Sequence, residues 1–369
     1  MPVSPPFRAD HVGSLLRPAA IKAARASHAK HEIDNAALAA VEDAEIARAV
    51  ARQESLGLKS VTDGEYRRYA WQTDFLAKLD GATMAEMTLP LPDGKTAKMF
   101  IPRIVGRLGF SGHPMIDHWK FLAAHTKAAT PKLSIPSPNM LISILRDWRQ
   151  GVSEQAYPDM AAFQRDVGAV YTKAVRAIGE AGCKYLQLDD CNLAYLCDPA
   201  QVERAKARGL DPNALLDTFV GLINEAISQR PKDMTVAVHI CRGNFRSTWL
   251  ASGGYEAIAE AIFNRTRVDA FFLEYDSDRA GGFEPLRFVP KDKTIVLGLV
   301  SSKTGALEPK DLIKRRIDEA AKFAPLDQLC LSAQCGFAST EDGNVLSEDE
   351  QWAKLGFVVE VAREMWGSA

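Results

Sequence analysis

Thr235-Val236-Ala237-Val238-His239-Ile240-Cys241 reads as a short buried strand that ends in two metal-ligating side chains. Successive side chains on an extended chain point to opposite faces, so His239 and Cys241 project together. An imidazole and a thiolate suit zinc, which takes four N, S or O ligands, and two more ligands are therefore expected elsewhere in the chain.

Working outward from this strand, the same unit recurs: a short apolar run, a polar residue or two, then an amphipathic helix. Tyr185 to Leu188 ends in Asp189-Asp190-Cys191, Ala270 to Leu273 ends in Glu274-Tyr275-Asp276, and Leu329 to Gln334 ends in Cys335-Gly336. Runs near residues 11, 61, 134 and 297 complete eight strand positions. Between them lie helical stripes. Phe163, Val167, Val170, Ala174 and Ile178 form one, Leu312, Ile313, Ile317 and Ala321 another, and Ser347 with Glu350 makes a capping box for the last helix. Gly57 is placed to end the helix that carries Leu38, Val41, Ile46 and Val50.

Apolar strands alternating with helices predict parallel pairing with right-handed crossovers, and eight of them predict a TIM (β/α)8 barrel forming a single domain over residues 1–369. No Gly-x-Gly-x-x-Gly follows the first strand, which removes the support for a dinucleotide-binding open sheet. Residues 85–110 interrupt the rhythm. Their turn cluster Pro90-Leu91-Pro92-Asp93-Gly94 predicts an inserted hairpin that can act as a flap.

Charged residues make up 25% of the 369, hydrophobic residues 47%, and the formal net charge is −2, a profile with no basic excess for nucleic acid. No uncharged run reaches the roughly 18 residues of a membrane span, and the N-terminus has no signal-like apolar core. A cytoplasmic protein is expected, and its six cysteines are expected to stay reduced.

In such a barrel the chemistry collects at the C-terminal ends of the strands. The polar residues there are Ser14, Glu65, Asp189, His239, Cys241, Glu274, Ser301, Ser302, Lys303 and Cys335. Glu274 and Cys335 supply the missing ligand types, although Asp276 and Asp278 lie close to Glu274 and a two-residue shift keeps the same strand face. A metal held by His239, Cys241, Glu274 and Cys335 takes the proton from an incoming thiol and presents its sulfur as a nucleophile. Alkyl transfer to sulfur is the reaction this chemistry favours. Cys183, Cys191, Cys197 and Cys330 read as buried apolar residues. Trp71 and Trp148 read as packing, and His11 as a core histidine.

The ordered set His11-Val12-Gly13-Ser14, Asp63-Gly64-Glu65, Gln187-Leu188-Asp189, His239-Ile240-Cys241, Glu274, Gly298-Leu299-Val300 and Cys335-Gly336 resembles the catalytic barrel of cobalamin-independent methionine synthase and its single-barrel relatives. The resemblance implies Zn2+ held by His239, Cys241, Glu274 and Cys335, and a homocysteine amino group and backbone held by Ser14, Glu65 and Asp189. It places Glu274 and Lys303 in the catalytic set, Lys303 standing where the family has a histidine. It also implies departures on the donor side. The length leaves no room for the second, folate-binding barrel, and Pro136-Ser137-Pro138-Asn139-Met140-Leu141-Ile142 lacks the family's tryptophan. The methyl donors in view are a methylfolate, methylcobalamin or a corrinoid protein, or a small methylated sulfur compound. Two other functions share the same residues: an epoxyalkane:coenzyme M type thiol alkyltransferase, which would call on Arg242 and Arg246, and a zinc- or thiol-binding protein without turnover. Assembly into a homo-oligomer is compatible with all three.

Overall fold

The computed structural model describes residues 4–90, 96–142 and 148–369. The described strands are β1 (Ser60–Val61), β2 (Asp80–Pro90), β3 (Thr96–Gly109), β4 (Thr130–Pro131), β5 (Leu133–Pro136), β6 (Tyr185–Asp190), β7 (Thr235–Ile240), β8 (Ala270–Glu274), β9 (Thr294–Val300) and β10 (Leu329–Ala333). Strands β5 to β10 form one parallel sheet in chain order. β1 pairs in parallel with β4, which runs directly toward β5. At the far edge Leu331 exchanges backbone hydrogen bonds with Arg8 and Asp10 at 2.9 and 3.0 Å, so the first expected strand docks on β10 as a short bridge.

The eight positions thus follow one another around a (β/α)8 barrel. Its one seam, between residues 10–15 and 60–64, is stitched mostly by side chains. Ser60 Oγ donates to Asp10 Oδ1 at 2.8 Å, Thr62 Oγ1 donates to Gly13 O at 2.6 Å, and a single backbone bond joins Leu15 N to Gly64 O at 3.0 Å.

Period-two patterning sorts the strand residues into two cores. Val236, Val238 and Ile240 face the helices, whereas Ala237 belongs to a smaller inner cluster with Val12, Tyr185, Ala270, Phe272, Val296 and Cys330. His239, two residues beyond Ala237, continues the inner row. Within the barrel Lys132 Nζ reaches Asp10 Oδ1 at 3.2 Å and His11 O at 2.6 Å and lies 4.0 Å from the Phe272 ring centroid. This buried charge is compensated by partners on all sides, as a charge in the interior must be.

Helix ends follow the local chemistry. Asp34 caps Asn35–Leu56 and Gly57, at φ 95°, closes it. Asp159 caps Met160–Glu180, and Ser347 with Glu350 forms the expected box at Glu348–Trp366. On Lys310–Ala320 the buried residues are Ile313, Ile317 and Ala320, while Leu312 is exposed, which rotates the expected stripe by part of a turn. Among the described residues no helix is long and apolar enough to cross a membrane.

The inserted hairpin is present as the antiparallel pair β2–β3, and it starts at Asp80 rather than 85. Residues 91–94 of its turn cluster lie outside the described residues. Its base is tied down by Ile104, which bonds through its backbone to Gly151 and Ser153 at 2.8 Å each. Phe100 contacts Tyr69 edge-on at 5.5 Å, which brings the hairpin against the loop that follows β1.

Candidate metal and amine site

His239 on β7, Cys241 just past its end, Glu274 at the end of β8 and Cys335 two residues past β10 converge on the same place. The ligand atoms of His239, Cys241, Glu274 and Cys335 all lie within 4.8 Å of one another, and all four residues are buried. Cys241 Sγ and Cys335 Sγ are 3.7 Å apart. Both ring nitrogens of His239 are buried and have no hydrogen-bond partner. A buried imidazole with two unpartnered nitrogens facing two thiols and a carboxylate is the chemistry of a zinc site, and the residues fit that ion.

The choice between Glu274 and Asp276 is decided by packing. Asp276 turns to Arg279 and accepts from Ser301 Oγ at 3.0 Å, outside the cluster. Glu274 accepts from the Arg242 backbone N–H at 3.0 Å on Oε1 and from Arg279 Nη2 at 2.9 Å on Oε2. Burial pushes the Glu274 carboxyl up, but Lys303, His239 and Arg279 outweigh it, and the group is held below the ordinary carboxylate range. Contact with Cys191, together with burial, pushes the Cys241 thiol well up, and contact with Cys241 and burial do the same for Cys335. Without a cation the pair stays protonated.

Beside the sulfur atoms lies a pocket whose wall carries Ser14, Glu65 and Asp189. Glu65 sits at φ 60° in the turn after β1, where its backbone N–H bonds to Asp63 Oδ1 at 2.9 Å. Its Oε1 accepts from Ser134 Oγ at 3.0 Å, Arg68 lies 3.5 Å away, and Oε2 is buried without a partner. Asp189 Oδ1 accepts from Gln187 Nε2 at 2.6 Å. Burial, then the nearby Glu65 charge, pushes Asp189 up to about 8. Ser14 is held by close packing against Gly336, where a Cβ would stand 1.9 Å from Ser14 Oγ.

Arg17 fixes the loops that carry these groups. Its Nη1 donates to the carbonyls of Leu15, Gly64 and Ala338 at 2.8, 3.3 and 3.3 Å, and its Nη2 to Arg68 O at 3.2 Å. Lys303 is not part of the pocket wall. Its Nζ is buried with no hydrogen-bond partner, and it acts on Glu274 through its charge.

Three residues play parts that sequence reading did not give them. Trp71, expected as packing, lines the pocket. Cys191, expected as an inert core thiol, acts on the Cys241 thiol and helps push it up. Arg279, one turn past β8, pairs with the candidate ligand Glu274. Its Glu-x-x-x-x-Arg spacing from Glu274 is the only signal of this in the sequence.

A family model described as the cobalamin-independent synthase catalytic domain matches residues 7–364. The chain belongs to this family. Within it, the Bacillus subtilis protein YxjH, itself uncharacterised, is 48% identical over 98% of this chain and 95% of its own length. The 5-methyltetrahydropteroyltriglutamate–homocysteine methyltransferase of Bacillus velezensis is 24% identical over 96% of this chain but only 42% of its own length. Among solved structures, a protein from Listeria monocytogenes described as a vitamin-B12 independent methionine synthase superposes with a TM-score of 0.80 at 39% identity, covering 99% of this chain and all of that one. The cobalamin-independent synthases are methyltransferases, and the barrel is the fold shared with the Listeria relative.

Proposed function

We propose that this cobalamin-independent synthase family member transfers a methyl group to the sulfur of an amino-acid thiol, homocysteine giving methionine. The observation that carries the reading is that His239, Cys241 and Cys335, three of the four clustered donors, line the same pocket as Glu65 and Asp189. Zinc bound by those four residues supplies the chemistry that turns a thiol into a nucleophilic thiolate near neutral pH. Glu65 and Asp189 select the rest of the substrate. Glu65 offers a buried, unpartnered Oε2 to an ammonium group, and Asp189 offers a second acceptor across the pocket. Ser14 orients the substrate main chain. Lys303 offsets negative charge around Glu274 and keeps that carboxylate ionised in a buried setting.

The donor is a methylfolate in this reading, the class of methyl donor named for the Bacillus velezensis relative. A corrinoid donor draws no support from any feature of the pocket. Coenzyme M is disfavoured for a physical reason. Its sulfonate needs cations, yet Arg242 is buried with its guanidinium 4.5 Å from the Tyr255 ring centroid and Arg246 is exposed, and neither lines the pocket.

Calorimetric titration of zinc-loaded protein with homocysteine, its deaminated analogue 4-mercaptobutyrate and coenzyme M tests the acceptor. Homocysteine should bind best, with proton release. Preference for coenzyme M would end the amino-acid reading. Methyl transfer from methyltetrahydrofolate, followed by methionine formation, tests the donor.

A further inference from the structure

Among the described residues, Glu274 is the only one of the four candidate ligands paired with a cationic side chain. Arg279 Nη2 lies 2.9 Å from Glu274 Oε2, with side-chain exposures of 8% and 0%. The guanidinium is fixed independently of Glu274. It lies 2.6 Å from Asp276 Oδ1, its Nη1 donates to Ser277 Oγ at 2.7 Å, and it covers the ring of Trp249 at 5.1 Å. The backbone is fixed too, since Arg279 O accepts from Gly253 N at 2.8 Å and Gly281, at φ 70°, packs directly on Gly254. The other oxygen of Glu274 is held by the Arg242 backbone N–H at 3.0 Å. This carboxylate therefore has a complete set of protein partners within reach of the metal position.

We infer that Arg279 is a positioning residue that competes with the metal for Glu274, giving the carboxylate a paired place to stay when a thiol occupies its ligand position. The inference rests on the thiol-binding reading above. A buried carboxylate that left a cation with no partner would be an uncompensated charge in the interior, which is strongly unfavourable. A charge-assisted bond to a fixed guanidinium removes that penalty. Of the four ligands, only Glu274 is equipped to leave. The cost falls on metal affinity, because Arg279 also stabilises the carboxylate when no metal is present.

The two effects have opposite signs, and that separates this role from simple support. If Arg279 merely propped Glu274 in position, its loss would weaken zinc binding. If it competes, Arg279→Met should tighten zinc and weaken the thiol. The full chain is titrated with zinc alone against a chelator of known affinity, and the zinc-loaded chain is titrated with homocysteine by calorimetry. Arg279→Met is expected to bind zinc roughly tenfold more tightly, at the lower end of the change that outer contacts make to metal affinity. Homocysteine should bind more weakly by a similar factor, and Arg279→Lys should fall between, since an ammonium keeps the charge without the planar fork. Zinc binding that is unchanged or weaker in Arg279→Met would overturn the inference.

A double-mutant comparison guards against misfolding of the single variant. In a Glu274→Gln background Arg279→Met should leave zinc affinity where it was, because the competed charge is gone; a persisting effect would also overturn the inference. A wild-type chain that binds zinc but no amino-acid thiol would remove the methyl-transfer reading, and the zinc comparisons would still decide the role of Arg279.

Discussion

Cys241 Sγ and Cys335 Sγ lie 3.7 Å apart although 94 residues separate them in the chain. Two buried thiolates at that distance repel, and both thiols are held well above their ordinary range, Cys241 by Cys191 and burial, Cys335 by Cys241 and burial. Only a cation lets both ionise together. The protein is expected to bind one zinc per chain, with affinity that rises with pH because the thiols must lose protons. Cys335→Ser should weaken zinc by more than roughly 100-fold, beyond the effect of altering an outer contact. Metal analysis after dialysis and chelator competition at two pH values measure both.

Asp189 predicts a pH effect of unusual sign. Most aspartates are depressed on folding, but burial and Glu65 push this one up to about 8. Between its ordinary range and about pH 8 the folded chain then holds a proton that the unfolded chain has lost. By linkage the Asp189 contribution to stability is full at acid pH and is lost as pH rises toward about 8. In metal-free protein, thermal unfolding at pH 6 and pH 9 should show a smaller difference for Asp189→Asn than for wild type. An unchanged difference would assign the slope to other groups.

Gly336→Ala targets the substrate side without touching a ligand. A Cβ there meets Ser14 Oγ at 1.9 Å and Ser14 Cβ at 3.1 Å, so the serine must move. Zinc content is expected to stay near wild type while homocysteine binding weakens by roughly tenfold or more, an energy of about 1.4 kcal/mol. Loss of both together would mean that the Cys335 loop, not Ser14, had shifted.

Arg17 predicts a stability effect. Its guanidinium joins four carbonyls from the loops after the first strand, β1 and β10, all buried or nearly so. Arg17→Met keeps much of the volume and strands those acceptors, at about 1–3 kcal/mol for each group left without water. A fall in unfolding free energy of at least about 3 kcal/mol, measured by denaturant titration, is expected, together with weaker homocysteine binding, since the same loops carry Ser14 and Glu65.

Much of the site could be read along the chain because strands impose a period of two and barrels gather strand ends on one face. That is why His239 and Cys241 could be paired, and why Glu274 and Cys335 could be sought at the ends of other strands. What escaped reading was contact made by irregular segments. Trp71 reaches the pocket through a turn stabilised by Asp74, which accepts from Tyr69 N and Ala70 N at 2.9 Å each. Arg279 arrives on a single 3-10 turn. No periodicity announces either one.

The exposed Leu312 shows the same limit from another side. Apolar spacing located the helix but not the angle at which it meets the barrel, and that angle is set by packing against neighbours far away in sequence. The seam between residues 10–15 and 60–64 is also a tertiary outcome, since side chains of Ser60 and Thr62 take over where backbone pairing thins.

By itself the sequence determined the alternation of strands and helices, the parallel order that follows from it, and His239, Cys241 and Cys335 as candidate metal ligands, because each depends on local periodicity and residue chemistry. Only the tertiary structure decided that Glu274 and not Asp276 joins the cluster, that Arg242 turns away from the pocket, and that Arg279 pairs with Glu274. Those outcomes depend on where side chains from separate strands and loops find partners once water is excluded, and no local rule encodes them.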